Sequence, residues 1–199
     1  MLKLGALTGA GIAAGGFAVG LPGVSGTLAQ TPEPTMGGSI SMSLADQDVQ
    51  SFDPPAPVDN MSIWTMLLIY DQLVRVDATG TAIEPGLAES WSANDDATAY
   101  TFLLRDATFH DGSPVKASDV AFSLMRAKDY EGGAWNFLFS AVESVDAPDD
   151  KTVVINLANP WAPLEADLAM FSASVIPQAL VEAQGDDFFQ NPVGMCHLP

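Results

Sequence analysis

Cysteine and basic residues are scarce in this chain, and each shortage excludes a class of function. Cys196 is the one cysteine, so neither a disulfide within the chain nor a cysteine metal cluster can form. Lys and Arg number 7 against 25 Asp and Glu, which gives a formal net charge of -18. Such a surface repels phosphates and anionic lipid headgroups, so we expect neither nucleic acid nor membrane lipid as a partner. The same balance fits either ordinary solubility or a high-salt habitat.

Sequence motifs for catalysis and metal binding are missing as well. The chain lacks a phosphate-binding glycine loop, a dinucleotide fingerprint, a nucleophile elbow and a zinc-protease helix. His110 beside Asp111 offers a general base, but a structural histidine in a turn is the favoured interpretation. The segment 46–48 (DQD) lacks the glycine and the closing glutamate of a calcium loop. We therefore predict no enzyme, no catalytic or metal site and no cofactor.

The N-terminal residues predict export. Residues 4–29 carry no charge, are rich in glycine and end in Thr27-Leu28-Ala29, a small-x-Ala cleavage site. We interpret residues 1–29 as a signal peptide, similar to a twin-arginine signal whose arginines are missing. A membrane-anchoring helix is the alternative, although the glycines and Pro22 make it a weak one. Residues 30–37 (QTPEPTMG) are predicted to be a flexible linker.

The segment 59–74 has apolar residues at helical spacing, which predicts a helix with one buried face. That face comprises Ile63, Leu67 and Tyr70, with Trp64, Leu68 and Leu73 beside them. Elsewhere alternation and turn residues predict strands at 39–44, 73–76, 99–104, 142–145 and 152–157. A short amphipathic turn or helix is expected over 85–91, and helices from about 118, over 161–171 and up to 184. This mixture predicts an α/β or α+β lobe.

Four ordered blocks of sequence together resemble a known family. They are residues 87–91 (LAESW), 100–105 (YTFLLR), 109–115 (FHDGSPV) and 117–123 (ASDVAFS). The arrangement is similar to the signature of the family 5 extracellular solute-binding proteins, which include oligopeptide-, dipeptide- and nickel-binding receptors of ABC importers. In physical terms the blocks are structural: Trp91 and Phe102 are expected to anchor a core, and Gly112 permits a tight turn.

The resemblance implies a type II periplasmic-binding-protein-like α/β fold with an incomplete first lobe and its small inserted α+β domain. Residues 38–194 would be the N-terminal part of that solute-binding domain. Residues 191–194 (NPVG) are similar to a family segment, after which 195–199 (MCHLP) reads as an aberrant tail. The family continues far beyond this point, so we expect the chain to be truncated.

The resemblance also implies a function without covalent chemistry. A peptide or similar solute is captured between two lobes, and lobe closure signals the permease subunits. By the same resemblance the loop after Asp53 lies at the cleft, so Val58, Asp59 and Asn60 are the predicted ligand contacts, with a helix-capping loop as the equal alternative. We expect a monomer on the periplasmic or extracellular face of the membrane. The rival hypothesis is a self-contained exported interaction module with no transport role.

Overall fold

The computed structural model describes residues 48–190, which form four helices, six strands and three 3-10 turns. The predicted signal peptide, linker, first strand and C-terminal tail lie outside these residues. The helices are α1 (Asn60–Ile69), α2 (Ala117–Lys128), α3 (Leu164–Asp167) and α4 (Gln178–Gln184). The strands are β1 (Val74–Val76), β2 (Ile83–Pro85), β3 (Ala88–Ala93), β4 (Ala99–Leu104), β5 (Val142–Asp146) and β6 (Thr152–Leu157). The 3-10 turns are Asn136–Phe139, Phe171–Ala173 and Gly185–Phe189.

The main core lies on one face of a four-stranded antiparallel sheet with the strand order β3-β4-β6-β5. Alternate residues of β4 and β6 are buried, as expected for strands with one covered face. The apolar stripe of α2, formed by Val120, Leu124 and Ala127, belongs to the same core cluster as Phe102 and Ile155. The predictions of β4, of α2 and of the β5–β6 hairpin are therefore confirmed.

A second, smaller core joins α1 to the end of the described chain. It consists of Met66, Tyr70, Phe171, Ile176, Val181, Phe188 and Phe189. Phe122 of α2 packs against it, so α2 contributes to both clusters. This second cluster supports the loop that precedes α1.

The segment 85–91 is not the short amphipathic turn or helix expected from its pattern. It forms the end of β2 and most of β3, because its backbone amides bond to residues far back in the chain. The amides of Gly86 and Ala88 donate to Leu73 O at 3.1 and 2.9 Å, and that of Leu87 donates to Gln72 O at 2.9 Å. A Cβ on Gly86 would lie 2.5 Å from Gln72 O, so only glycine allows this approach. These tertiary hydrogen bonds override the local helical pattern.

Helix α1 is shorter than predicted, and only part of its predicted buried face, including Tyr70, is buried. It ends at Ile69, and its buried residues are Ser62 and Met66. Leu67 and the neighbouring Trp64 and Leu68 are 47%, 49% and 68% exposed; we call these three residues the outer face of α1. A helix that is apolar all round gives no periodic signal, so tertiary contacts decide which face is buried.

The predicted helix over 161–171 is also interrupted. Only Leu164–Asp167 is α-helical, and a 3-10 turn begins at Phe171. Pro163 is the N-cap of this helix, a position where the missing amide hydrogen of proline removes no helical hydrogen bond. Trp161 lies outside the helix and donates its indole N–H to Asp167 Oδ2 at 2.7 Å.

The two expected core anchors differ in burial, and their replacement should differ accordingly. Phe102 is fully buried, whereas Trp91 is half-buried and stacks on Phe102 with ring centroids 6.1 Å apart. We expect Phe102→Ala to lower the free energy of unfolding by about 3–5 kcal/mol. Trp91→Ala should cost roughly half as much, because part of the ring already meets water. Urea unfolding followed by circular dichroism measures both; equal losses would show that Trp91 is fully covered in solution.

Candidate functional site

The loop of residues 52–60, which leads into α1, is held by a bidentate ion pair. Asp53 Oδ1 lies 2.5 Å from Arg126 Nη1, and Asp53 Oδ2 lies 2.7 Å from Arg126 Nη2. The two side chains are 9% and 21% exposed, so little water screens the pair. Paired guanidinium–carboxylate bonds fix direction as well as distance. The ion pair thus ties the loop to the last turn of the amphipathic helix α2.

Aromatic rings enclose this ion pair. The guanidinium carbon of Arg126 lies 4.6 Å from the centroid of the Phe189 ring and 5.3 Å from that of Tyr130. Such contacts favour a cation over a ring face. The pKa of the Tyr70 hydroxyl is raised mainly by burial and also by the neighbouring Asp53 carboxylate. This hydroxyl donates a hydrogen bond to Phe52 O at 3.1 Å. Tyr70 therefore stays protonated at neutral pH and keeps the start of the loop in place.

A second anchor holds the far end of the loop. Trp135 donates its indole N–H to Pro57 O at 2.6 Å, and its ring packs edge-on against Phe171 with centroids 5.0 Å apart. Within the loop, the amide of Ala56 donates to Asp53 O at 3.0 Å. The loop is therefore fixed at both ends before any ligand arrives.

The structure places the three predicted contact residues together, directly after this second anchor. Val58 is 74% exposed, and Asn60 is the exposed first residue of α1. Asp59 is the N-cap of the helix, with Oδ1 accepting the amide of Ser62 at 2.8 Å. Burial raises the pKa of Asp59, but hydrogen bonds from Ser62 and from the backbone amides of Asp59 and Met61 together outweigh it, so the pKa is lowered. Asp59 is thus a capping residue that carries a full negative charge at neutral pH.

The outer face of α1 begins one helical turn beyond Asn60. Sequence reasoning placed Trp64, Leu67 and Leu68 in the core, whereas they extend the exposed surface that starts at Val58. On the opposite side, the hydroxyl of Ser62 accepts the amides of Gln50 and Ser51 at 2.8 and 3.2 Å. These bonds, which the sequence pattern did not indicate, hold Ser62 on the buried side of α1.

The anchored loop offers groups suited to binding. They are the apolar side chain of Val58, the carboxylate of Asp59 and the amide of Asn60, next to the indole of Trp135 that is hydrogen-bonded to the loop. Within residues 48–190 no group of three or more metal-ligating side chains comes together. In the same range no helix has the length and apolar character needed to span a membrane. His110, the histidine considered as a base, is exposed in the β4–α2 connection and does not belong to this site.

Solved structures that resemble this chain define the class of protein. A periplasmic binding protein DppA from Helicobacter pylori, in complex with the peptide STSA, matches with a TM-score of 0.67 at 32% identity, over 74% of this chain and 34% of that chain. The OppA of Haemophilus influenzae, in complex with RPPGFSPFR, matches with a TM-score of 0.68 at 30% identity, over 73% and 32%. The fold is therefore that of the type II periplasmic binding proteins, represented in part.

The family follows from the sequence comparison. The family model of the bacterial extracellular solute-binding proteins, family 5 Middle, matches residues 82–195, and the chain belongs to this family. A probable D,D-dipeptide-binding periplasmic protein, DdpA of Escherichia coli, is 39% identical over 147 residues. The match covers 70% of this chain and 28% of that relative, so the chain spans less than a third of the relative's length.

Removing the arginine of the buried ion pair should be much more costly than removing an exposed one. Arg126→Gln leaves Asp53 buried without its partner, and we expect a loss of about 3–5 kcal/mol in the free energy of unfolding. The control is Arg75→Gln, which breaks the Arg75–Glu84 pair whose side chains are 56% and 41% exposed, and which should cost less than about 1 kcal/mol. Chemical unfolding of both variants measures the difference, and similar losses would contradict a buried pair in solution.

Proposed function

We propose that this chain forms part of the first lobe of a receptor that captures a peptide or similar solute for an ABC importer. The observation that carries the proposal is the loop 52–60, anchored at both ends, in a chain of the family 5 solute-binding proteins. We assign residues 38–194 to the N-terminal part of the solute-binding domain. The antiparallel sheet covered by α2 supports the assignment of a small α+β domain inserted in that lobe.

The proposed mechanism is binding followed by lobe closure, without covalent chemistry. A loop fixed in advance loses little conformational freedom when a ligand arrives, which favours affinity. Val58 would contact an apolar part of the ligand, Asn60 would exchange hydrogen bonds with its backbone, and Asp59 would attract its amino group. Closure of the second lobe over the solute would then present the receptor, as a monomer, to the permease subunits.

The outer face of α1 favours a second candidate, a self-contained interaction module. Exposed Trp64, Leu67 and Leu68 would suit a protein partner as well as the remainder of a solute-binding protein. The two functions differ in what the 199-residue chain does alone. A module would bind its partner by itself, whereas a lobe covers only one side of a solute and would bind peptide poorly.

A chimera tests the receptor function. We expect that replacing the matching third of the Helicobacter pylori DppA with this chain's residues 48–190 preserves binding of the peptide STSA, because on our proposal the loop lies at the cleft of the shared fold. The 199-residue chain alone should show no binding of STSA or of a mixed peptide library at micromolar concentration. Isothermal calorimetry measures both. Micromolar binding by the short chain, or a folded chimera that does not bind, would contradict the proposal.

Substitutions at the loop in the same chimera separate ligand binding from helix capping. Asp59→Asn keeps a capping side chain but removes the charge, so stability should change little while peptide affinity falls roughly tenfold. Asp59→Ala removes both and should also destabilise α1 by about 1 kcal/mol. Unchanged affinity in the folded Asp59→Asn chimera would leave Asp59 with its capping role alone, and Val58→Ser and Asn60→Ala would then be the test of the loop.

We also propose export, because the relative DdpA is periplasmic and residues 1–29 have the composition of a signal peptide. When the chain is expressed in a bacterial host, the exported form should begin at Gln30, which N-terminal mass spectrometry detects. The control replaces Ala29 with a bulky residue, Ala29→Phe, which should block processing. An exported protein that retains residues 4–28 would support a membrane anchor instead.

A further inference from the structure

A concave site lies in a part of the molecule that the proposed receptor function does not use. A cavity of about 900 Å³ opens between the β4–α2 connection, residues 105–116, and the turn that joins β5 to β6. None of its lining residues belongs to the loop 52–60 or to α1. Its volume falls in the range of small-molecule sites, roughly 300–1,000 Å³.

The walls of the cavity are held in place by backbone hydrogen bonds. The connection folds back on itself, since the amide of Phe109 donates to Ser113 O at 2.8 Å and that of Val115 donates to Ala107 O at 3.0 Å. Gly112, at a φ of +86°, supplies the turn between them. The amide of Ala117 donates to Asp150 O at 3.0 Å and fastens the connection to the β5–β6 turn. The site therefore needs no large rearrangement to accept a ligand.

The cavity combines an apolar floor with charged residues at its rim. The apolar surface that a ligand can reach is that of Ala107 and Pro114, which line the cavity together with Lys116 and Lys151. These are two of the seven basic residues in a chain of net charge -18. An ammonium group beside an apolar surface suits a ligand that is apolar with one negative end.

The two lysines differ in how firmly they are engaged. Lys151 Nζ lies 2.7 Å from Asp106 Oδ1 and donates to Arg105 O at 3.1 Å. Lys116 Nζ makes a longer contact of 3.2 Å with Asp150 Oδ2, and these side chains are 45% and 74% exposed. An exposed pair of this kind contributes about 0–1 kcal/mol and exchanges readily. Lys116 is therefore the group that an incoming anion can engage.

We propose that this cavity binds an apolar monocarboxylate, whose apolar part covers Ala107 and Pro114 and whose carboxylate replaces Asp150 at Lys116 Nζ. The carboxylates of Asp106 and Asp150 remain at the rim and repel a second negative charge, so phosphate and dicarboxylates are disfavoured. The ligand is either a free acid or the C-terminal residue of an apolar peptide, because both present the same carboxylate beside the same apolar group.

Nuclear magnetic resonance of the ¹⁵N-labelled 199-residue chain tests the site with matched probes. N-acetylphenylalanine and its amide differ only in the carboxylate, and 3-phenylpropanoate represents a free acid. We expect both acids to shift the amides of Phe109, Lys116 and Asp150, and to bind at least about fivefold more tightly than the amide, a ratio that equals ~1 kcal/mol. The acid that binds more tightly indicates whether the ligand is a free acid or the C-terminal residue of a peptide. Equal binding of acid and amide, or shifts confined to residues 52–60, would overturn the proposal.

Three variants complete the test, and their effects have opposite signs. Lys116→Gln should weaken the acid to the level of the amide. Asp150→Asn should tighten it, because it removes the internal competitor for Lys116. The control is Lys128→Gln, at the other end of α2, whose Nζ pairs with Asp129 Oδ1 at 3.0 Å outside the cavity, and which should leave the affinity unchanged. If Lys116→Gln does not fold, failure of Asp150→Asn to tighten the acid still refutes the site. Because the readout is local to the cavity, it does not depend on whether the receptor function is correct.

Discussion

A guanidinium group is stable away from water only when a carboxylate meets it, and the partner of Arg126 in this fold is Asp53. The consequence reaches beyond the pair itself. Helix α2 contributes Val120 and Leu124 to the sheet core, Phe122 to the second cluster and Arg126 to the loop. One helix thus connects the sheet, the aromatic cluster and the loop before α1, so loss of the pair would remove one of the two anchors of the candidate site.

Elements with a strong local signal could be predicted from the sequence. The β5–β6 hairpin has alternating strands around a turn of Pro and Asp, and α2 has a single apolar stripe, so each is specified by neighbouring residues. The segment 85–91 lacks this independence, because its amides bond to Gln72 and Leu73, and no short window contains both partners. The buried face of α1 could not be predicted for another reason. The helix has apolar residues on every side, so its sequence does not indicate which side is buried.

The candidate site likewise contains residues that could be predicted from the sequence and distant contacts that could not. Val58, Asp59 and Asn60 adjoin in the sequence, so the resemblance could place them together, and capping by Asp59 follows from residue type. The anchors could not be found this way, since Asp53 and Arg126 are 73 positions apart, and Trp135 and Pro57 are 78 apart. A weak signal existed in Arg126, one of the few basic residues of a very acidic chain. It gave no indication of its partner among 25 carboxylates.

The outer face of α1 carries a tryptophan whose intrinsic fluorescence can report on contacts made by this face. Trp64 is half in water and lies one helical turn from Asn60, whereas the indole of Trp135 is fixed by its hydrogen bond to Pro57. Indole emission shifts to shorter wavelength, and becomes inaccessible to dissolved quenchers, when the ring loses contact with water. If the remainder of a solute-binding protein or another molecule covers the outer face of α1, the fluorescence emission of Trp64 should shift to shorter wavelength, and no added label is needed to detect this.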